Sequence, residues 1–238
     1  AKRGHNVTIF EKADKVGGQI HLAAAPPRKS EILRSVQYYE KVLPTLNVDI
    51  KLNTEPTAEE LNTFDVVLIA VGAHNMELPM QVENSKVLSA WDILEGAEAS
   101  GTCAVVGGGL VGTETAEYLA EKGHSVIIIE MMDQIAAGES STIKPLITKA
   151  FETHNVVQHV NTKVITIKDN VIHAISTKDD TEIEIHADTI VNALGSKKNV
   201  YDVSGITKEV TYIGDCSGER TADIASAVRS GYHAANAI

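Results

Sequence analysis

The stretch Cys103-Ala104-Val105-Val106-Gly107-Gly108-Gly109-Leu110-Val111-Gly112 decides how the rest of the chain is read. Apolar residues suited to a buried strand run straight into G-x-G-x-x-G. A helical pattern of Leu110, Thr113, Ala116, Glu117 and Leu119 follows, up to the stop signal at Gly123. A glycine triplet alone says little. A strand before it, a helix after it and Glu130 placed 18 residues beyond Gly112, at the end of the next strand, make the context a dinucleotide fingerprint requires. Gly107 is expected to make the tight turn, Gly109 to let backbone approach a pyrophosphate, and Gly112 to let helix pack on strand. Gly108, Leu110 and Val111 complete the turn, whose amide-rich helix start faces the anion. Glu130 suits ribose hydroxyls and repels a 2′-phosphate, which predicts NADH rather than NADPH.

Outward from this stretch the chain repeats itself. Residues 1–11 (AKRGHNVTIFE) match residues 120–130 (AEKGHSVIIIE) at an offset of 119. Asp65-Val-Val-Leu-Ile-Ala-Val-Gly72 echoes Asp188-Thr-Ile-Val-Asn-Ala-Leu-Gly195 at an offset of 123. Each first echo reads as helix end, Gly-His turn, strand and terminal Glu; each second echo reads as a buried strand closing on Ala-x-Gly. Glu11 is therefore the counterpart of Glu130. The counterparts of Gly107–Gly112 fall before residue 1, so the chain is expected to be part of a longer protein. Between the echoes, residues 31–43 have helical spacing and residues 48–52 read as a strand. Residues 155–187 read as short strands of a small antiparallel meander, with turns at Lys168-Asp169-Asn170 and Lys178-Asp179-Asp180.

Composition narrows the partners. The echoes imply two similar α/β units; the 238 residues, 43 % hydrophobic with a net charge of −11, fall in the ordinary globular range, and the acidic balance argues against nucleic acid as a partner. The apolar runs fall far short of the ~20 residues of a membrane span, and no signal-peptide pattern opens the chain, so a cytoplasmic setting is expected. Cys103 and Cys216 form no C-x-x-C pair, and the nine histidines show no ligand spacing, so no metal site is expected. Gly17-Gly18-Gln19 lies just beyond the Glu11 strand, where a double glycine lets backbone approach a bulky cofactor. Near the end, Gly214-Asp215 closes a strand and a helix is expected to start near Thr221; such a helix start can stabilise negative charge on a ring.

Taken together, the Gly107–Gly112 turn with Glu114 and Glu130, both Ala-x-Gly strands, Gly214-Asp215 and the segment Gly17 to Glu31 resemble one family. It is the carboxyl-terminal region of NADH:flavin oxidoreductases related to 2,4-dienoyl-CoA reductase and trimethylamine dehydrogenase, within the flavoprotein disulfide reductase superfamily. The resemblance implies two Rossmann-like domains, an NAD domain (77–188) inserted in an FAD domain (1–76 and 189–238). It implies Glu11 and Lys12 at the FAD adenosine ribose, Gly18 and Gln19 beside the flavin, Ala70 to Gly72 near its pyrophosphate, and Gly214-Asp215 at the ribityl chain. Thr221 to Ile224 would face the pyrimidine edge of the isoalloxazine. Glu114 would lie near the nicotinamide, and Gly195 at the turn returning to the FAD domain. No side chain is expected to act as acid or base. Relatives carry an FMN barrel and an iron–sulfur segment, and neither is found in this chain. The first FAD strand, its glycine turn and its helix are not found either, which predicts weak or no FAD retention and a risk of strand exchange or dimerisation into a homo-oligomer at the open sheet edge. The alternatives are a non-catalytic ADP- or NAD-binding module and, less favoured on cysteine count, a dithiol reductase.

Overall fold

The computed structural model describes residues 1–218 and 223–238. Two units are threaded so that one interrupts the other: unit 1 is Ala1–Ala24, Lys29–His74 and Ser196–Ile238, and unit 2 is Ala25–Arg28 with Asn75–Gly195. Unit 1 opens with β1 (Thr8–Phe10), α1 (Ile20–Ala24), α2 (Leu33–Thr45), β2 (Asp49–Lys51), α3 (Ala58–Leu61), β3 (Val66–Ile69) and β4 (Ala73–Asn75). Unit 2 continues through β5 (Gln81–Glu83), β6 (Val87–Ser89), α4 (Ala90–Leu94), β7 (Thr102–Val106), α5 (Leu110–Glu121), β8 (Ser125–Ile129) and α6 (Lys144–Thr153). It ends with β9 (Val157–His159), β10 (Thr162–Lys168), β11 (Val171–Ser176), β12 (Glu182–His186) and β13 (Thr189–Asn192). The chain returns as β14 (Ser196–Lys198), β15 (Glu209–Tyr212) and α7 (Ile224–Ala237).

In unit 2 the apolar run of β7 is unbroken because both its faces are covered. The parallel sheet has the order β6-β13-β7-β8-β9, with Cys103 opposite both Thr189 and Val126. The side-chain period of two sends Cys103 and Val105 toward Ala116 and Leu119 of α5 and Ile147 and Phe151 of α6. Ala104 and Val106 point the other way, onto Ile167, Ile172 and Ile185 of a second sheet. That sheet is the expected meander, β10-β11-β12 antiparallel, extended by β5 running parallel to β10. Val157, grouped in the sequence with the meander, instead pairs with Ile127 of β8, making β9 an edge of the parallel sheet. The Trp91 segment is the short helix α4, closed by a capping box between Ser89 and Asp92.

Unit 1 is built from pairs. β1 runs parallel to β2, with Ile9 opposite Ile50, and β3 runs parallel to β15, with Ile69 opposite Tyr212. Among the described residues no ladder joins the two pairs. Leu61, Val67, Ile69 and Cys216 form its core, with Phe10, Tyr201 and Tyr212 packed against them. Helix α7 begins at Ile224, where the Asp223 carboxylate accepts from Ser226 N at 2.7 Å; that bond holds Asp223 below the usual carboxylate range. Thr221, expected at this helix start, lies outside the described residues.

Candidate functional site

The strongest site geometry is at the carboxyl end of the unit 2 sheet. Gly107 has φ +108°, and a Cβ there would lie 2.6 Å from Ala193 O. A Cβ on Gly112 would lie 1.9 Å from Gly107 O, so α5 closes on the turn only because that atom is missing. Gly108 is equally confined, its Cβ position 2.8 Å from Glu130 Cβ. Gly109 differs: nothing lies within 4 Å of its Cβ position, and it is the N-cap residue of α5. Three glycines are thus closely packed, and one, Gly109, leaves room in front of a helix start. That is the cradle a pyrophosphate needs, so the residues present fit a dinucleotide. Leu110 beside it is exposed, and Val111 packs against the helix-side core.

Glu130 is fixed before any ligand arrives. Its Oε2 accepts from Gly108 N at 2.7 Å and its Oε1 from Met132 N at 2.8 Å. Each carboxylate oxygen keeps a further lone pair for a diol, and the negative charge disfavours a 2′-phosphate. Glu114 is half-buried on α5, one turn before Glu117. Gly195, with φ +111°, ends the strand-to-turn segment that begins at Asn192; its carbonyl accepts from Met76 N.

Sequence reasoning missed one contact in this unit. Glu117 is buried on α5 and is paired with Arg28, whose other guanidinium nitrogen lies 3.4 Å from Glu121. The hydrogen bond to Glu117 raises the Arg28 guanidinium above its ordinary value. Arg28 also holds φ +64°, a region unusual for a side chain of its size. The partners are 89 residues apart, and no periodic pattern announces them.

Unit 1 repeats part of this arrangement. Glu11 Oε1 accepts from Ala13 N at 2.8 Å, as Glu130 does from Met132, and Glu11 N donates to Lys51 O as Glu130 N does to His159 O. Lys12 is exposed and pairs with Glu55 at 3.4 Å. Gly18 has φ +47° and open space about its Cβ position. Gln19 Nε2 donates to Ala73 O at 3.2 Å and fills the space a Cβ on Gly72 would need. Ala70 is exposed at the end of β3. The ends of β3 and β15 lie together, since Ile213 N donates to Ile69 O, and Gly214 N donates to Ser230 Oγ of α7 at 2.7 Å. Asp215 sits in the single turn that follows. The structure therefore groups Gln19 with Gly72, and Gly214 and Asp215 with the end of β3. Glu11 closes the other strand pair.

A parallel sheet flanked by helices and a β-meander, with a glycine turn opening α5 and an anchored Glu130, defines a Rossmann-type dinucleotide-binding fold. Residues 1–214 match the pyridine nucleotide-disulphide oxidoreductase family, and the chain belongs to that family. Among curated proteins it is similar to a bilirubin reductase of Mediterraneibacter gnavus, 40 % identical over 99 % of this chain and 37 % of the relative. An NADH oxidase of Thermoanaerobacter brockii is 31 % identical over 99 % of this chain and 38 % of the relative. Among solved structures, a 2-naphthoyl-CoA reductase superposes with a TM-score of 0.89 at 28 % identity, over 97 % of this chain and 36 % of that one. Histamine dehydrogenase from Rhizobium sp. 4-9 shares the fold, with a TM-score of 0.88 at 22 % identity over 99 % of this chain and 40 % of that one. The chain thus spans under two fifths of the curated relatives named here. The family match, the curated reductase and oxidase, and the 2-naphthoyl-CoA reductase bear out the resemblance, and the chain is a domain of that oxidoreductase family. No helix among the described residues is long and apolar enough to cross a membrane.

Proposed function

We propose that this chain is an NADH:flavin oxidoreductase module, in which unit 2 binds NADH and unit 1 contributes residues to an FAD site. The observation that carries the reading is the pairing of open Gly109 with anchored Glu130: one end leaves room for a pyrophosphate, the other presents acceptors to a ribose. When both cofactors are bound, the chemistry at the site is hydride transfer from the nicotinamide to the flavin, with electrons passing on to centres elsewhere in a larger enzyme. The chain's own work is binding and orientation. Helix α5 supplies amide N–H groups to the anion, Glu130 fixes the ribose, and Gln19 holds the β3 turn by its bond to Ala73. Glu11, Lys12, Gly18, Ala70, Gly72, Gly214 and Asp215 are proposed for FAD, Glu114 for the nicotinamide side, and Gly195 for the turn that returns to the FAD domain.

A dithiol reductase is disfavoured by the cysteines. Both are buried, they belong to different units, and burial pushes the Cys103 thiol up to about 11, so it is not a ready thiolate. The test is the visible spectrum of the chain reconstituted with FAD, before and after anaerobic NADH. Bleaching of the flavin band supports the module. NADH binding without bleaching supports a non-catalytic nucleotide-binding role instead.

A further inference from the structure

The turn after β3 is held by bonds that also locate a proton. Val71, Gly72 and Ala73 present three consecutive carbonyls, and all three accept. Val71 O takes Asn199 Nδ2 at 2.7 Å, Gly72 O takes Asn199 N at 3.0 Å, and Ala73 O takes Gln19 Nε2 at 3.2 Å. Asn199 Oδ1 lies 2.7 Å from His74 Nδ1. A carbonyl can only accept, so the nitrogen of the Asn199 amide must face Val71 and its oxygen must face His74. An oxygen on that side makes Nδ1 the donor. In the neutral ring Nε2 then carries the lone pair, whereas free histidine prefers its proton on Nε2.

We infer that Asn199 is a positioning residue for the β3 turn, clamping Val71 and His74 with its two amide atoms and holding His74 as the Nδ1–H tautomer. His74 is exposed, so its Nε2 is an acceptor available to a hydroxyl-bearing ligand. The link to function rests on the reading of Ala70–Gly72 as the flavin-side turn; the clamp itself does not. Asparagine alone among small polar side chains meets both demands, since aspartate cannot donate to Val71 O.

The test uses the full cofactor-free chain with 15N-labelled histidine, read by long-range proton–nitrogen correlation at a pH where the ring is neutral. The wild type should show His74 protonated on Nδ1. Asn199→Ala should move the proton to Nε2, while Asn199→Asp should keep it on Nδ1. In both variants the lost Val71 bond should speed amide exchange in the turn about tenfold, with global unfolding unchanged. A wild-type proton on Nε2, or a turn that exchanges alike in all three proteins, overturns the clamp. FAD titration then addresses the link to function: about tenfold weaker binding in both variants supports it, and equal binding in all three overturns it. A wild type that binds no FAD removes the link to function from this chain, while the tautomer still decides the clamp.

Discussion

In unit 2, β7 lies between β8 and β13, and both neighbours have ladders on each side. In unit 1 the counterparts of those two strands, β1 and β3, each have one ladder partner among the described residues. The consequence is visible in burial: all four residues of β13 are buried, whereas β3 alternates buried and half-buried and β1 has no buried residue. Among the described residues the two units share strand ends, down to the hydrogen bonds of Glu11 and Glu130, and the strand between those ends is seen in unit 2 as β7. Local geometry at the ribose end thus repeats where the ladders around it differ.

Amide exchange would sharpen the contrast most. Amides of β7, β8 and β13 should exchange only on global unfolding of unit 2, and those of β1 and β2 on the order of a thousandfold faster; equal protection in both units would break the comparison. Next comes Gly112→Ala. Its Cβ meets the Gly107 carbonyl, a backbone atom that cannot step aside, so unit 2 should lose about 3 kcal/mol in calorimetry. Gly18→Ala in unit 1 has open space and only a φ of +47° to pay for, about 1 kcal/mol. Arg28→Met should cost unit 2 about 2 kcal/mol by stranding the Glu117 carboxylate, discounted because Arg28 is half exposed. Adding Glu117→Gln should recover part of it. Arg28→Gly is the sharper variant: the left-handed backbone favours glycine, so net destabilisation shows that the ion pair outweighs the strain.

The smallest effect is a pH dependence. The folded-state pKa of Cys103 is raised, so the neutral thiol contributes stability that is full below its unfolded pKa near 9 and declines as pH rises toward about 11. Cys103→Ala should flatten the unit 2 stability profile over that alkaline window, while Cys216→Ala leaves its slope there in place.

The parts of the molecule legible in the sequence are those governed by short-range rules. The Gly107–Gly112 turn, the strand ends at Glu11 and Glu130, the short helix at Trp91 and the meander turns all follow from local periodicity and turn chemistry. Val157 groups with the meander in sequence yet joins the parallel sheet, because a short β-rich stretch does not say which sheet it joins; its docking on Ile127 does. β5, Gln81–Glu83, is exposed throughout, and its alternation around the single apolar Val82 is too short to mark a strand without the edge that β10 offers. The Arg28–Glu117 pair and the Asn199 clamp join residues 89 and 125 or more positions apart. Their signals are single polar residues, and in sequence such residues look like any solvated surface.

The most direct test of the central claim, that the unit 2 turn holds NADH, is amide exchange of the chain with and without saturating NADH. Protection should concentrate in residues 107–113 and 130–132, should be weaker with NADPH, and should be lost in Glu130→Ala. Protection elsewhere, none at all, or a preference for NADPH would contradict it.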